Sequence, residues 1–192
     1  MNCSPPVPLP GRAGPCNPML TSYLKLLSRI LLGTVVVLGV IIGIGYSLDQ
    51  KHNATREKKL AAAPEVVWNT ITDFSNAASF RPDLSRVDVL PAQNGMPVWR
   101  EVDRKGESIT FGVIESKPPS RLVVKIAQQD LPFGGTWVYE LKPTGAGTSV
   151  KITENGEIYH PIYRFVSHFF LNQAATIEEY LRSLERKHGR AA

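Results

Sequence analysis

A chain of 192 residues, 43% of them apolar, suits one globular domain with accessory segments and can bury a real core. The formal charge of +5 is concentrated at one end: from Leu60 onward fifteen basic residues face fifteen acidic ones, whereas Arg12, Lys25, Arg29, Lys51, Arg56, Lys58 and Lys59 flank an N-terminal apolar run. So neutral a domain carries no electrostatic footprint for nucleic acid, which is not expected as a partner. With its two cysteines confined to the N-terminal tail, it also uses neither disulfide nor thiolate chemistry.

Residues 1–19 carry Pro5, Pro6, Pro8, Pro10, Pro15 and Pro18 with Gly11 and Gly14, a composition that cannot pack, and are read as a disordered tail. Whether Cys3 and Cys16 pair in it is left open. Residues 20–48 are read as a membrane helix. Its uncharged center, "ILLGTVVVLGVIIGIGYSL" from Ile30 to Leu48, spans roughly 28 Å at about 1.5 Å per residue, close to the roughly 30 Å of bilayer hydrocarbon. The run has no polar face, as a buried soluble helix would, and no small-x-small cleavage site follows it. The expected localization is a single-pass cell-membrane protein. Basic residues flank both ends almost equally, so the side on which the domain lies stays open. "GVIIG" fits a small-xxx-small packing motif, a route to a weak homodimer through Gly39 and Gly43.

Residues 49–59 are read as a charged juxtamembrane linker whose last part starts the first strand, and residues 60–188 as the folded domain. "APEVVWNTITDF" reads as a short helix with Pro64 in its first turn and Val67, Ile71 and Phe74 on one side. Ser75 is placed to cap a second short helix that "RPD" at 81–83 ends. The period then changes to two. Strands are predicted near Arg86–Leu90, Val98–Asp103, Glu107–Ser116, Arg121–Gln128, Thr136–Pro143 and Ser149–Tyr159, separated by turns rich in Gly and Pro. Connections this short imply an antiparallel meander. Alternation puts Ile109, Phe111 and Val113, then Leu122, Val124 and Ile126, then Trp137, Tyr139 and Leu141 on its covered face. A last helix is predicted from Ile162 to Lys187, with an apolar stripe running from Ile162 through Phe165, Phe169 and Ile177 to Leu184, broken only at Gln173.

The stretches "AAAPEVVWNTITDF" and "GGTWVYELKPTGAGTSVKITENGEIYHP", with a Phe-rich terminal helix ending "TIEEYLRSLERK", resemble the bacterial polyketide cyclase/dehydrase-like family of the START/Bet v 1-like (SRPBCC) superfamily over roughly residues 54–188. The resemblance implies an α+β helix-grip fold: a curved antiparallel sheet of about seven strands around a long C-terminal helix, with an apolar cavity between them. It also implies a hydrophobic small molecule or lipid as partner, and enzymatic activity in a minority of members. The membrane helix lies outside the family pattern.

On that analogy, Phe111, Val113, Trp137, Tyr139, Tyr159, Phe165 and Phe169 are candidate ligand-lining residues, with plain core packing as the competing reading of each. Arg100 joins them if Val98 and Val102 face inward; with Trp99 inward instead, it faces water. Catalysis is the weaker expectation and has no assigned residues; Tyr159, Arg100 and His168 are the groups it would need. Glu154 and Glu157 fall on opposite faces of a regular strand, and "ENG" reads as a kink at Gly156. His52 is expected in solvent. No P-loop, dinucleotide fingerprint, nucleophile elbow or zinc spacing occurs, so no cofactor and no metal is implied. Three readings follow: a membrane-anchored binder of a hydrophobic molecule, a cyclase- or dehydratase-type enzyme on an apolar substrate, and a tethered protein-interaction module.

Overall fold

The computed structural model describes residues 18–172 and 174–191. Cys3, Cys16 and most of the Pro-rich tail lie outside the described residues, as does Gln173. The chain divides into two compact units, the first ending at Ile41 and the second beginning at Ile42.

Helix α1, Pro18–Ser47, occupies the first unit and ends in the second. Its stretch Ser22–Ser47, 26 residues, is the one helix among the described residues long and apolar enough to cross a membrane. Ser28 and Thr34 donate their hydroxyls back to the carbonyls of Lys25 and Ile30, which satisfies two hydroxyl donors within the helix.

In the second unit, β1 (Lys51–Leu60) leads into α2 (Pro64–Thr72) and a 3-10 turn, Phe74–Ser79. Pro64 occupies the first turn of α2, and Val67, Trp68 and Ile71 are its buried face. The meander follows: β2 (Leu84–Gln93), β3 (Met96–Asp103), β4 (Ser108–Lys117), β5 (Arg121–Ile126), β6 (Phe133–Thr144) and β7 (Gly147–Ile158). All pairings are antiparallel, in the order β1-β7-β6-β5-β4-β3-β2. The curved seven-stranded sheet of the helix-grip class is therefore present. Its outer face carries a row of ion pairs joining Lys117, Glu115, Arg121, Glu140 and Lys151.

Two elements differ from expectation. The first strand begins at Lys51, so most of the segment read as a linker is sheet. Its residues pair in unbroken register from Lys51 opposite Glu157 to Leu60 opposite Thr148. The C-terminal helix is two helices, α3 (Pro161–Phe170) and α4 (Ala175–His188). Leu171 is extended, with φ −110° and ψ 139°. Asn172 then accepts the Ala174 N–H on its side-chain oxygen at 3.1 Å and the Ala175 N–H on its carbonyl at 3.0 Å, an Asx-type turn that leads into α4.

The core lies where α4 meets the sheet. Ile177 and Leu184 are fully buried, and Leu181 nearly so, against a cluster that includes Leu60, Val67, Val150 and Ile152. Arg56 and Lys58 of β1 pair with Glu178 and Glu185 of α4 at 2.8 and 2.6 Å. These partly exposed pairs fix register more than they add stability. Leu184→Ala should cost about 2–5 kcal/mol in urea unfolding of the chain followed by tryptophan fluorescence. Leu171→Ala, at a position 61% exposed, should stay within about 0.5 kcal/mol.

Candidate functional site

Two adjoining hollows lie between the sheet and the C-terminal helices, sharing Phe111, Trp137 and Thr176. The inner one holds about 210 Å³ and the outer one about 430 Å³. Both are mainly apolar, and each contains one cluster of polar side chains.

The inner chamber is built on Arg81. This residue follows the 3-10 turn and is turned inward, where it pairs with Glu101 of β3 at 2.7 Å and with Asp83 at 2.6 Å. The indole N–H of Trp99 donates to the other Glu101 oxygen at 3.1 Å. The guanidinium also sits 5.4 Å above the Tyr180 ring. Burial works against the Arg81 charge, but Glu101 and Asp83 outweigh it and hold the proton more firmly than usual. Tyr139 and Tyr180 pack with ring centroids 5.6 Å apart, and burial raises both phenols. This cluster satisfies itself.

The outer chamber is lined by Ile109, Ile126, Phe133 and Ile158 from the sheet, and by Tyr163, Val166 and Leu171 from α3 and its end. At its base stand His52 of β1 and Glu154 of β7, Nε2 to Oε1 3.6 Å apart, with side chains only 18% and 21% exposed. Gly156 lies directly opposite His52, and a side-chain carbon at Gly156 would collide with the imidazole. The missing side chain there is thus filled by the ring. The strand has no bulge at this point, because both of its pairings run through Gly156 without a register shift. Trp137, directly opposite Glu154 on β6, reaches the same carboxyl. Burial raises the Glu154 proton affinity, and the nearby imidazole and Trp137 indole partly oppose that rise.

The sequence-predicted residues divide. Phe111, Trp137 and Tyr139 line the chambers. Val113 is buried beside Val124 and lines neither. Tyr159 is 46% exposed, with its hydroxyl over Gly134. Phe165 is half-buried and Phe169 exposed, their rings 5.0 Å apart; α3 turns Tyr163, Val166 and Ser167 to the chamber instead. Arg100 is exposed on the outer face, 3.5 Å from the Thr110 hydroxyl, because Trp99 and Glu101 take the inward phase. His168 is exposed and packs edge-on to Phe169. His52, expected in solvent, lies inside. Arg81 and Glu101 were missed, as was the Glu154 carboxyl's place in the cavity. Among the described residues no group of His, Cys, Asp and Glu has the arrangement of a metal site.

Comparison with known proteins agrees with this architecture. The family described as polyketide cyclase / dehydrase and lipid transport matches residues 51–189. The chain belongs to that family. No curated protein matches it by sequence. Among solved structures, it is similar to the di-domain ARO/CYC StfQ from the steffimycin biosynthetic pathway (13% identity, TM-score 0.58), with 71% of this chain matching half of that longer one. A START superfamily protein from Mycobacterium smegmatis aligns at 18% identity and TM-score 0.55, covering 73% of this chain and 97% of the other. Norcoclaurine synthase from Thalictrum flavum aligns at 11% identity and TM-score 0.57, covering 71% and 86%. Likeness at these identities establishes the fold and leaves any ligand to the chain's own residues.

Two outcomes follow for the polar pair. Gly156→Ala should expel the imidazole and cost about 1–3 kcal/mol, a loss largely cancelled when His52→Ala is added; a double-mutant cycle in urea measures it. The Glu154 carboxyl is raised above its ordinary 4.5, so the folded chain holds that proton more tightly than the unfolded one. Its stabilizing contribution is complete below the ordinary value and is lost as pH rises through the raised one. Glu154→Gln should therefore match the parent in melting temperature below pH 4.5 and exceed it above that window.

Proposed function

We propose that the chain is a membrane-anchored protein that holds a hydrophobic small molecule or lipid in the two chambers. The carrying observation is the pair of adjoining, mainly apolar hollows between sheet and helices. Its outer part, about 430 Å³, falls by itself within the roughly 300–1,000 Å³ of small-molecule sites. Tyr159, Arg100 and His168, the groups that the enzymatic reading would need, line neither chamber.

The anchor is α1. A 26-residue apolar stretch extends about 39 Å at about 1.5 Å per residue, enough for a bilayer core with some tilt. Its last turn packs on the start of α3, where Gly45 lies so close to the Pro161 carbonyl that a side chain would not fit. Three residues, 48–50, then separate α1 from β1. Helix α3, which rims the outer chamber with Tyr163 and Val166, also exposes Phe169 and Phe170. An exposed apolar rim at the mouth is what a cavity filled from a bilayer requires. The same rim favors the protein-interaction reading, for which an exposed apolar patch is the expected mark.

The full chain, extracted from membranes that resist alkaline carbonate washing, should carry a stoichiometric apolar molecule detectable by mass spectrometry of its organic extract. Thr176→Trp, at the junction of the chambers, should reduce that molecule at least fivefold while the far-ultraviolet spectrum is unchanged. A chain that carries nothing, and whose melting temperature does not respond to added lipid, would overturn the reading. Phe169→Ser with Phe170→Ser should slow uptake of a fluorescent lipid from vesicles; unchanged uptake with loss of a protein partner would favor the interaction module.

A further inference from the structure

The two polar clusters of the cavity are not equivalent. Around Arg81 every charge is matched inside the protein: two carboxylates hold the guanidinium, and Trp99 takes the remaining Glu101 oxygen. At the base of the outer chamber the balance is different. Glu154 faces one imidazole nitrogen at 3.6 Å, beyond good hydrogen-bonding distance, and one indole donor. An ionized carboxylate offers about four lone-pair positions, so Glu154 retains acceptor capacity. It does so in a chamber whose walls are mainly apolar, with Ile109, Phe111, Ile126, Phe133 and Ile158 on the sheet side.

The chemistry of a molecule that would complete this site follows. No lysine or arginine side chain lines the chamber; its charged or titratable groups are His52, Glu154, Glu157 and Tyr163, with Lys51 reaching Glu157 from outside at 3.8 Å. A carboxylate or phosphate group would meet the Glu154 carboxyl there with no lysine or arginine lining the chamber, and is disfavored. An ammonium group would compete with His52, which already stands within ion-pair distance of the same carboxyl. A neutral donor, a hydroxyl on an apolar body, meets neither obstacle. It gives Glu154 the hydrogen bond that burial demands and leaves its remaining surface to the apolar walls. We propose that Glu154, positioned by His52 and Trp137, is the specificity-determining acceptor that selects apolar ligands bearing a hydroxyl group.

This rests on the reading that the chambers hold an apolar molecule, and the test separates the two. The full chain in lipid nanodiscs is dialyzed to equilibrium at neutral pH against naphthalene, 2-naphthol, 2-naphthoate and 2-(aminomethyl)naphthalene, with empty nanodiscs subtracted. The expected result is 2-naphthol bound at least tenfold more tightly than naphthalene, with the naphthoate and the amine weaker than the naphthol. Within each variant the naphthol-to-naphthalene ratio is the readout. It should fall to about one in Glu154→Leu and to an intermediate value in Glu154→Gln, which keeps an acceptor oxygen without the charge. Arg100→Ala, on the outer face, should keep the parental ratio. Naphthalene bound as tightly as naphthol in the parent, a ratio unchanged in Glu154→Leu, or the amine or naphthoate bound most tightly would each overturn this inference while leaving the apolar cavity in place. Binding of none of the four would overturn the cavity reading and this inference with it.

Discussion

The buried ridge of α4 decides where the interior is solid and where it is hollow. Ile177, Leu181 and Leu184 close on Leu60, Val67 and Val150 without a gap. Toward the helix start the ridge ends: Thr176 is short and partly in solvent, and the chain is extended at Leu171 before the turn at Asn172 leads into α4. A curved sheet and a straight helix separate along their length, and only large side chains can fill the difference. Here Trp137, Phe111 and Tyr139 of the sheet meet Tyr180 of α4, and the hollows lie beside these rings. Close packing is worth several kcal/mol per large residue, so a gap of this size is a cost that a bound molecule would recover.

The order of elements and the inward phase of the meander were readable because period-two alternation is strong where one sheet face is wet. Trp137, Tyr139 and Phe111 followed directly from it. The apolar stripe of the terminal segment hardly breaks and so predicts one continuous helix, whereas the turn at Asn172 is a local signal that the stripe conceals. Phe165 and Phe169 were lost with it, since a break in the helix resets which side chains face the sheet. Arg100 was assigned by assuming that the neighboring valines face the cavity, whereas the larger Trp99 takes that phase. His52 could have been found: counting back by twos from the fully buried Leu60 passes through Lys58, Arg56 and Ala54 and ends on His52. Composition concealed it, because a stretch as charged as "KHNATREKK" reads as a linker.

The polar interior shows how one fold uses burial in two ways. Arg81 and Glu101 lie as deep as His52 and Glu154, with exposures of 13% and 14%, yet they form a pair that asks nothing of a guest. Such a pair holds the 3-10 turn to β3 and gives the inner chamber a fixed end. Glu154 depends on Gly156 for the room in which its imidazole neighbor stands. One glycine without a positive φ thus shapes the chamber as much as any aromatic residue does, and residue-type preference alone would not single it out.

The sheet is open, with β1 and β2 as its margins, and only the end of β1 is bridged, by Leu60 to Arg190. Both carry deterrents to edge-to-edge growth: β1 turns Lys51, Asn53, Thr55, Glu57 and Lys59 outward, and β2 is interrupted by Pro91, which falls inside a register shift between Leu90 and Gln93. A proline there removes a donor from the free edge, and a row of charges resists desolvation against a second copy. Chains crowded side by side can therefore collide at these margins without zipping into a shared ribbon, which keeps a dense population of copies separate and each cavity accessible.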